Sequence, residues 1–122
     1  MSYGKELILD LHDCDPSTFN RESLTMFFRR LCELIDMTPE LLCFWDDVGV
    51  PPEECQMQAH TKGTTAVQFI LTSNITVHTL DMLGKVFVNV FTCKDFEPQI
   101  AIDFAAKWFH GKVVASHVIE RM

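Results

Sequence analysis

The sequence predicts an α+β fold: a two-layer α/β sandwich, with a mostly antiparallel sheet and two amphipathic helices on one of its faces. Two observations carry this. Apolar residues recur at helical spacing in two separate stretches, 17–36 and 96–109. Between them, residues 65–93 alternate in β-branched and aromatic residues and are punctuated by turn signals. The chain has 122 residues and is 48% hydrophobic, which suits a single domain over 1–122 with a real core.

Each element can be justified in order. KELILDL (5–11) reads as a first strand. Asp15-Pro16-Ser17 signals a turn and a helix start, because proline is tolerated in a first helical turn. Leu24, Phe27, Phe28, Leu31, Leu34 and Ile35 then recur at i, i+3, i+4, i+7, i+10 and i+11, so one apolar face predicts a helix over 17–36. Thr38-Pro39 closes it. LLCFW (41–45) fits a short strand, and DDVGVPPEEC, with its glycine, two prolines and four acids, reads as a solvated loop.

TAVQFILT (65–72), ITVHT (75–79) and KVFVNVFTC (85–93) read as strands, with Leu83-Gly84 as a turn between the last two. Asp95 is placed to cap a second helix over 96–109, whose apolar face is Ile100, Ala101, Phe104, Ala105 and Trp108. His110-Gly111 ends it, with the glycine in the C-cap. VVASHVI (113–119) is the last strand. The order is β-α-(β)-β-β-β-α-β. The sheet face away from the helices is left to meet solvent, a ligand or another subunit.

Composition narrows the function classes. A formal net charge of −7 and no basic run argue against a nucleic-acid partner. No apolar run approaches the roughly 20 residues of a transmembrane helix, and MSYGKELILD has no apolar leader, so a cytoplasmic protein without a membrane partner is expected. Five cysteines without a C-x-x-C pair fit reduced thiols, and five scattered histidines lack ligand spacing, so no metal is expected. No G-x-G-x-x-G, P-loop, H-E-x-x-H or G-x-S-x-G motif occurs. Asp10 and Asp13 are candidates for lining a cleft, while Asp15 belongs to the turn before the helix.

The remaining chemistry lies in TSNITVHT (72–79) and VFTC (90–93), which put Ser73, His78 and Cys93 into the most strand-like part of the chain. Serine and histidine five residues apart point to opposite faces of a straight strand. They converge only if the chain breaks near Ser73-Asn74, and asparagine tolerates turn geometry.

These residues resemble the small prokaryotic S-adenosylmethionine decarboxylases. That family's motif runs E-S-H-x-x-x-H-T, followed by a strand ending F-T-C-G. The serine-to-histidine and histidine-to-cysteine separations match without a gap, as do Thr79 and Gly84. GKELILDLHDCD (4–15) resembles the family's first strand and turn.

The resemblance implies a self-processing proenzyme cut between Thr72 and Ser73, with a pyruvoyl group formed from Ser73 as cofactor. It assigns Ser73 as the nucleophile, His78 as the acceptor of the proton in the elimination step, and Cys93 as the donor that quenches the product carbanion. Thr65 stands where the family has a hydroxyl residue that assists processing, beside Thr72 at the cut. Decarboxylation deposits a carbanion, and a pyruvoyl carbonyl provides the electron sink.

The departures fall elsewhere. Thr72 replaces the family's glutamate, Asn74 its histidine and Lys94 its glycine after the cysteine. Met82 stands at the glutamate that resembles a ribose ligand in relatives. MQAHTKG (57–63) lacks the aromatics that stack on adenine, which leaves Phe44 or Trp45 as substitutes.

The implied function is a pyruvoyl-dependent lyase supplying decarboxylated S-adenosylmethionine for spermidine synthesis. The implied partners are a small amino-acid-type substrate and a second copy in a homodimer. The alternatives are a decarboxylase of ornithine or arginine, and an unprocessed homologue acting as a binding or regulatory subunit.

Overall fold

A computed structural model describes residues 2–122. Six strands form one antiparallel sheet: β1 (Gly4–His12), β2 (Pro39–Trp45), β3 (Gly63–Ile70), β4 (Ser73–Leu80), β5 (Lys85–Thr92) and β6 (Lys112–Arg121). Their order across the sheet is β2-β3-β4-β5-β1-β6. Two helices, α1 (Arg21–Leu34) and α2 (Pro98–Phe109), complete the two layers. The predicted α+β sandwich is therefore the observed one.

Period-two alternation decides the layering. Leu7, Leu9 and Leu11 of β1 lie opposite Val90, Val88 and Val86 of β5, and Val88 and Val90 lie opposite Val77 and Ile75 of β4. All are buried. The helices cover this face. Phe27 stands at the centre of an aromatic cluster, with ring centroids 4.8 Å from Phe109, 5.5 Å from Phe104 and 5.6 Å from Phe28. Burying such a ring contributes on the order of 2 kcal/mol. Among the described residues no helix lies on the other sheet face.

Helix starts differ from expectation for one reason, which is that another residue supplies the capping oxygen. Asp15 caps only a short 3-10 turn, Pro16–Thr18, by accepting from the Ser17 N–H at 2.9 Å. The true cap of α1 is Asn20, whose side-chain oxygen accepts from the Ser23 N–H at 2.8 Å. Glu97, not Asp95, caps α2, and Asp95 instead pairs with Lys5 at 2.7 Å. At the end of α2, His110 itself takes the left-handed conformation (φ 53°) that the sequence suggested for Gly111. Gly111 is needed for space, since a Cβ there would lie 2.4 Å from Cys14 Sγ. The first helix also ends at Leu34, two residues early, because Asp36 is left-handed (φ 56°).

Residues 41–45 do form a strand, extended back to Pro39 and paired along the sheet's edge with β3. The expected break at Ser73-Asn74 is absent: β4 begins at Ser73 and runs unbroken to Leu80. The chain turns one residue earlier, at Leu71-Thr72.

Candidate active site

The β3–β4 hairpin closes with Ile70 opposite Ser73, so Leu71 and Thr72 are its two-residue loop. A turn with positive φ at its second central residue ordinarily takes glycine. Here that residue is Thr72, at φ 54°. A β-branched residue in this region stores on the order of 1–2 kcal/mol of strain. Its hydroxyl is held at both sides, donating to the Leu71 carbonyl at 2.8 Å and sharing a 3.1 Å hydrogen bond with Cys93 Sγ.

Ser73 follows directly, 7% exposed and facing the helix layer. Its Oγ accepts the Cys93 N–H at 3.0 Å. Cys93 lies just past the end of β5, which pairs with β4, so the sheet brings the two residues together across twenty positions of sequence. Hydrogen bonds from Thr72 first, and then from Ser73 and Tyr3, hold the Cys93 thiol below the ordinary cysteine range. A thiol lowered in this way is suited to giving up a proton and taking it back. Lys94 reaches away from the thiol, donating to the Asp36 carbonyl (2.8 Å) and carboxylate (2.6 Å). Asp36, Met37 and Lys94 close a cavity of about 200 Å³ against Thr72 and Cys93.

His78 lies elsewhere. It sits directly opposite Thr65, and its Nδ1 is 3.1 Å from the Thr65 hydroxyl. Both face the uncovered side of the sheet. Ser73 and His78 are five residues apart on an unbroken strand, about 16 Å along it, and point to opposite faces. One chain thus presents two separate groups, Thr72-Ser73-Cys93 at the hairpin tip and Thr65-His78 in the middle of the open face.

His78 stands between two hollows. One, of about 550 Å³, is walled by Trp45, Phe87, His60, Gln56 and Thr65. Trp45, 55% exposed, lies opposite Thr65 and presents an aromatic surface there. Phe44 points the other way, beneath the Arg21 guanidinium at 5.5 Å. The second hollow, of about 450 Å³, is polar and includes Glu6, Asn74, Asn89 and Arg121. In it Arg121 pairs with Glu6 at 2.7 Å, and Asn89 donates to the same carboxylate at 3.2 Å.

Met82 is 59% exposed in the turn after β4 and lines neither hollow. Asp10 and Asp13 line none of the cavities around these residues. The alternation in KVFVNVFT already put Phe87, Asn89 and Phe91 on one face. Nothing local in the sequence marked His60 or the Glu6–Arg121 pair.

Comparison with known proteins bears on the family and the fold. The model of the S-adenosylmethionine decarboxylase family matches residues 5–122. A curated S-adenosylmethionine decarboxylase proenzyme from Bacillus velezensis is 33% identical over 50 residues, which is 41% of this chain and 40% of that protein. The crystal structure of the adenosylmethionine decarboxylase from Aquifex aeolicus superposes with a TM-score of 0.75 at 21% identity, over 98% of this chain and 91% of that one, a likeness of fold. With a family model spanning nearly its whole length, the chain belongs to the S-adenosylmethionine decarboxylase family.

Proposed function

We propose that this chain is a proenzyme that cuts itself between Thr72 and Ser73 and then decarboxylates S-adenosylmethionine, supplying the decarboxylated product for spermidine synthesis in the cytoplasm. The observation that carries this reading is the strained, left-handed Thr72 immediately before a buried serine, with Cys93 bonded to both. Strain in the residue before the cut raises the amide toward the transition state of an acyl shift. Ser73 Oγ attacks the Thr72 carbonyl carbon, and the Thr72–Ser73 amide becomes an ester. Loss of the Ser73 Cα proton to a base expels the Thr72 carboxylate and leaves a dehydroalanine at the new N-terminus, which takes up water and releases ammonia to become the pyruvoyl group.

The residues present fit that group. Ser73 lies at the start of a strand, so a new N-terminus there stays anchored by β4 pairing on both sides. When present, the group supplies the carbonyl electron sink that decarboxylation needs. Around it, Cys93 holds a proton for the product carbon, and the Thr72 hydroxyl orients its sulfur. His78, oriented by Thr65, is the base, but in its own chain it is out of reach of Ser73. A homodimer resolves this: a second copy laid over the open sheet face brings its Thr65 and His78 toward the first copy's hairpin tip. The uncovered face, with Phe69, Trp45 and Ile119 exposed, also favours such a partner.

The hollow walled by Trp45 and Phe87 suits a flat heteroaromatic ring and favours a nucleoside-bearing substrate over an aliphatic one. The charged hollow of Glu6 and Arg121 on the other side of His78 favours the second reading, in which ornithine or arginine is the amino acid decarboxylated. Intact-mass spectrometry of the purified chain tests the proposal. Two fragments meeting at Thr72 and Ser73 are expected, followed by CO2 release from S-adenosylmethionine in preference to ornithine or arginine. A chain that stays whole after prolonged incubation would overturn it and leave a binding or regulatory subunit.

A further inference from the structure

The strand β1 passes so close to Cys93 that its first residue has to be glycine. A Cβ on Gly4 would lie 1.9 Å from the Thr92 carbonyl oxygen and 2.8 Å from Cys93 Cα. This approach seats the preceding residue, Tyr3, beside the thiol. Tyr3 is tied from below, its N–H donating to the Arg121 carbonyl at 2.6 Å, and its ring stacks on Phe91, two residues before Cys93, at 6.4 Å and 21°. Tyr3 and Cys93 then wall one polar hollow of about 400 Å³. The ring is held on one side and still exposed on the other, and the hydroxyl is its only polar side-chain group.

We infer that Tyr3 is a positioning residue for Cys93, its phenolic hydroxyl turning to the sulfur to donate a hydrogen bond to the thiolate that remains once the thiol proton has been given away. The role of that proton rests on the proposed decarboxylase reading; the coupling of the two side chains does not. The step balances simply. The S–H proton moves to the product carbon, the sulfur keeps the electron pair and accepts the Tyr3 O–H, and water returns a proton to the sulfur. Tyr3 itself stays protonated.

Other groups act on the same sulfur. Thr72 and Ser73 bond it or its backbone from β4 and the hairpin. Lys5, paired with Asp95, and Glu120 line the same hollow as Tyr3, and the Lys94–Asp36 pair lies on the opposite side. Lys5 is matched by Asp95 and Lys94 by Asp36, which leaves Glu120 as the unmatched charge of the hollow and the hydroxyl groups as the donors available to the sulfur.

The test uses the full chain with Ser73→Ala, which cannot cut itself, so the readout does not depend on processing. Alkylation of Cys93 by iodoacetamide is followed by peptide mass mapping across pH 6 to 10, with and without Tyr3→Phe. Phenylalanine keeps the stack on Phe91 and removes only the hydroxyl. The expected result is a several-fold slower alkylation of Cys93 at neutral pH and a profile displaced to higher pH, with Cys43 and Cys55 labelling unchanged. Tyr3→Leu, which also loses the stack, should give at least the same displacement. Superimposable Cys93 profiles for the Tyr3→Phe and parent chains would overturn the inference, whatever the chain's processing turns out to be.

Discussion

Thr72 Oγ1 and Cys93 Sγ stand 3.1 Å apart, twenty-one residues from each other in sequence, and Ser73, the residue after Thr72, is the first of β4. One strained turn therefore carries the proposed cut, its proposed nucleophile, and a hydrogen bond to the proposed proton donor.

Relieving that strain should separate stability from processing. Glycine adopts φ 54° without penalty. Thr72→Gly is expected to raise the thermal midpoint by a few degrees, corresponding to a gain of about 0.5–1 kcal/mol, and to slow self-cleavage. Thermal unfolding of uncut chains and a cleavage time course would check both. Faster cleavage in the glycine variant would count against stored strain as a driving term.

Ser73→Ala should leave one chain of full mass. It also removes the acceptor for the Cys93 N–H, a loss of about 1–2 kcal/mol where the group is shielded from water. Chemical denaturation of the variant against an uncut reference such as His78→Ala would measure it.

His78→Ala tests the two-copy site. Alone it should not cut. Mixed and refolded with Ser73→Ala chains, it should be cut, because its own Ser73 then meets an intact His78 from the other copy. Mass spectrometry distinguishes the two variants. If mixed dimers form and the His78→Ala chain stays whole, the histidine does not act between copies.

The cysteines should differ in reactivity. Burial pushes Cys14 and Cys32 up to about 11, whereas hydrogen bonding lowers Cys93. For an acid lowered in the folded state, the folded form favours the thiolate, and that preference is present at alkaline pH and lost as pH falls through the folded pKa. At pH 8, iodoacetamide should label Cys93 well before Cys14 or Cys32. Because Thr72 is the largest cause of the lowering, Thr72→Val should slow labelling of Cys93 selectively, as read by peptide mass mapping.

Gly63→Ala should be among the most damaging single-methyl additions. Its Cβ would lie 1.7 Å from the Thr79 carbonyl oxygen, so the β3–β4 pairing beside Thr65 and His78 must shift. A loss of about 2–3 kcal/mol in urea denaturation is expected, with cleavage impaired alongside.

Much of this was legible in the sequence because it is periodic. The helical spacing of Phe27, Phe28 and Leu31 and the alternation through 85–92 determine which faces are apolar, and burial then requires helices on one side of a sheet. The spacing of Ser73, His78 and Cys93 carried the family resemblance. Helix caps were misread because a cap depends on which side-chain oxygen reaches a free N–H. Asp15 and Asp95 had the right chemistry, but Asn20 and Glu97 had the geometry.

What only the tertiary structure decided is where the reactive residues meet. Parity alone said that Ser73 and His78 point apart, and an imagined break was needed to join them. The unbroken β4 keeps them apart and moves the strain back to Thr72. Strand pairing, which no local pattern encodes, brings Cys93 to Ser73, Thr65 to His78 and Trp45 to Thr65. The sequence by itself determined which side chains this protein has for its chemistry and which layers it builds. The fold sorted them into two groups on opposite faces, because side chains alternate along a strand and only hydrogen-bonded neighbours can place distant residues side by side.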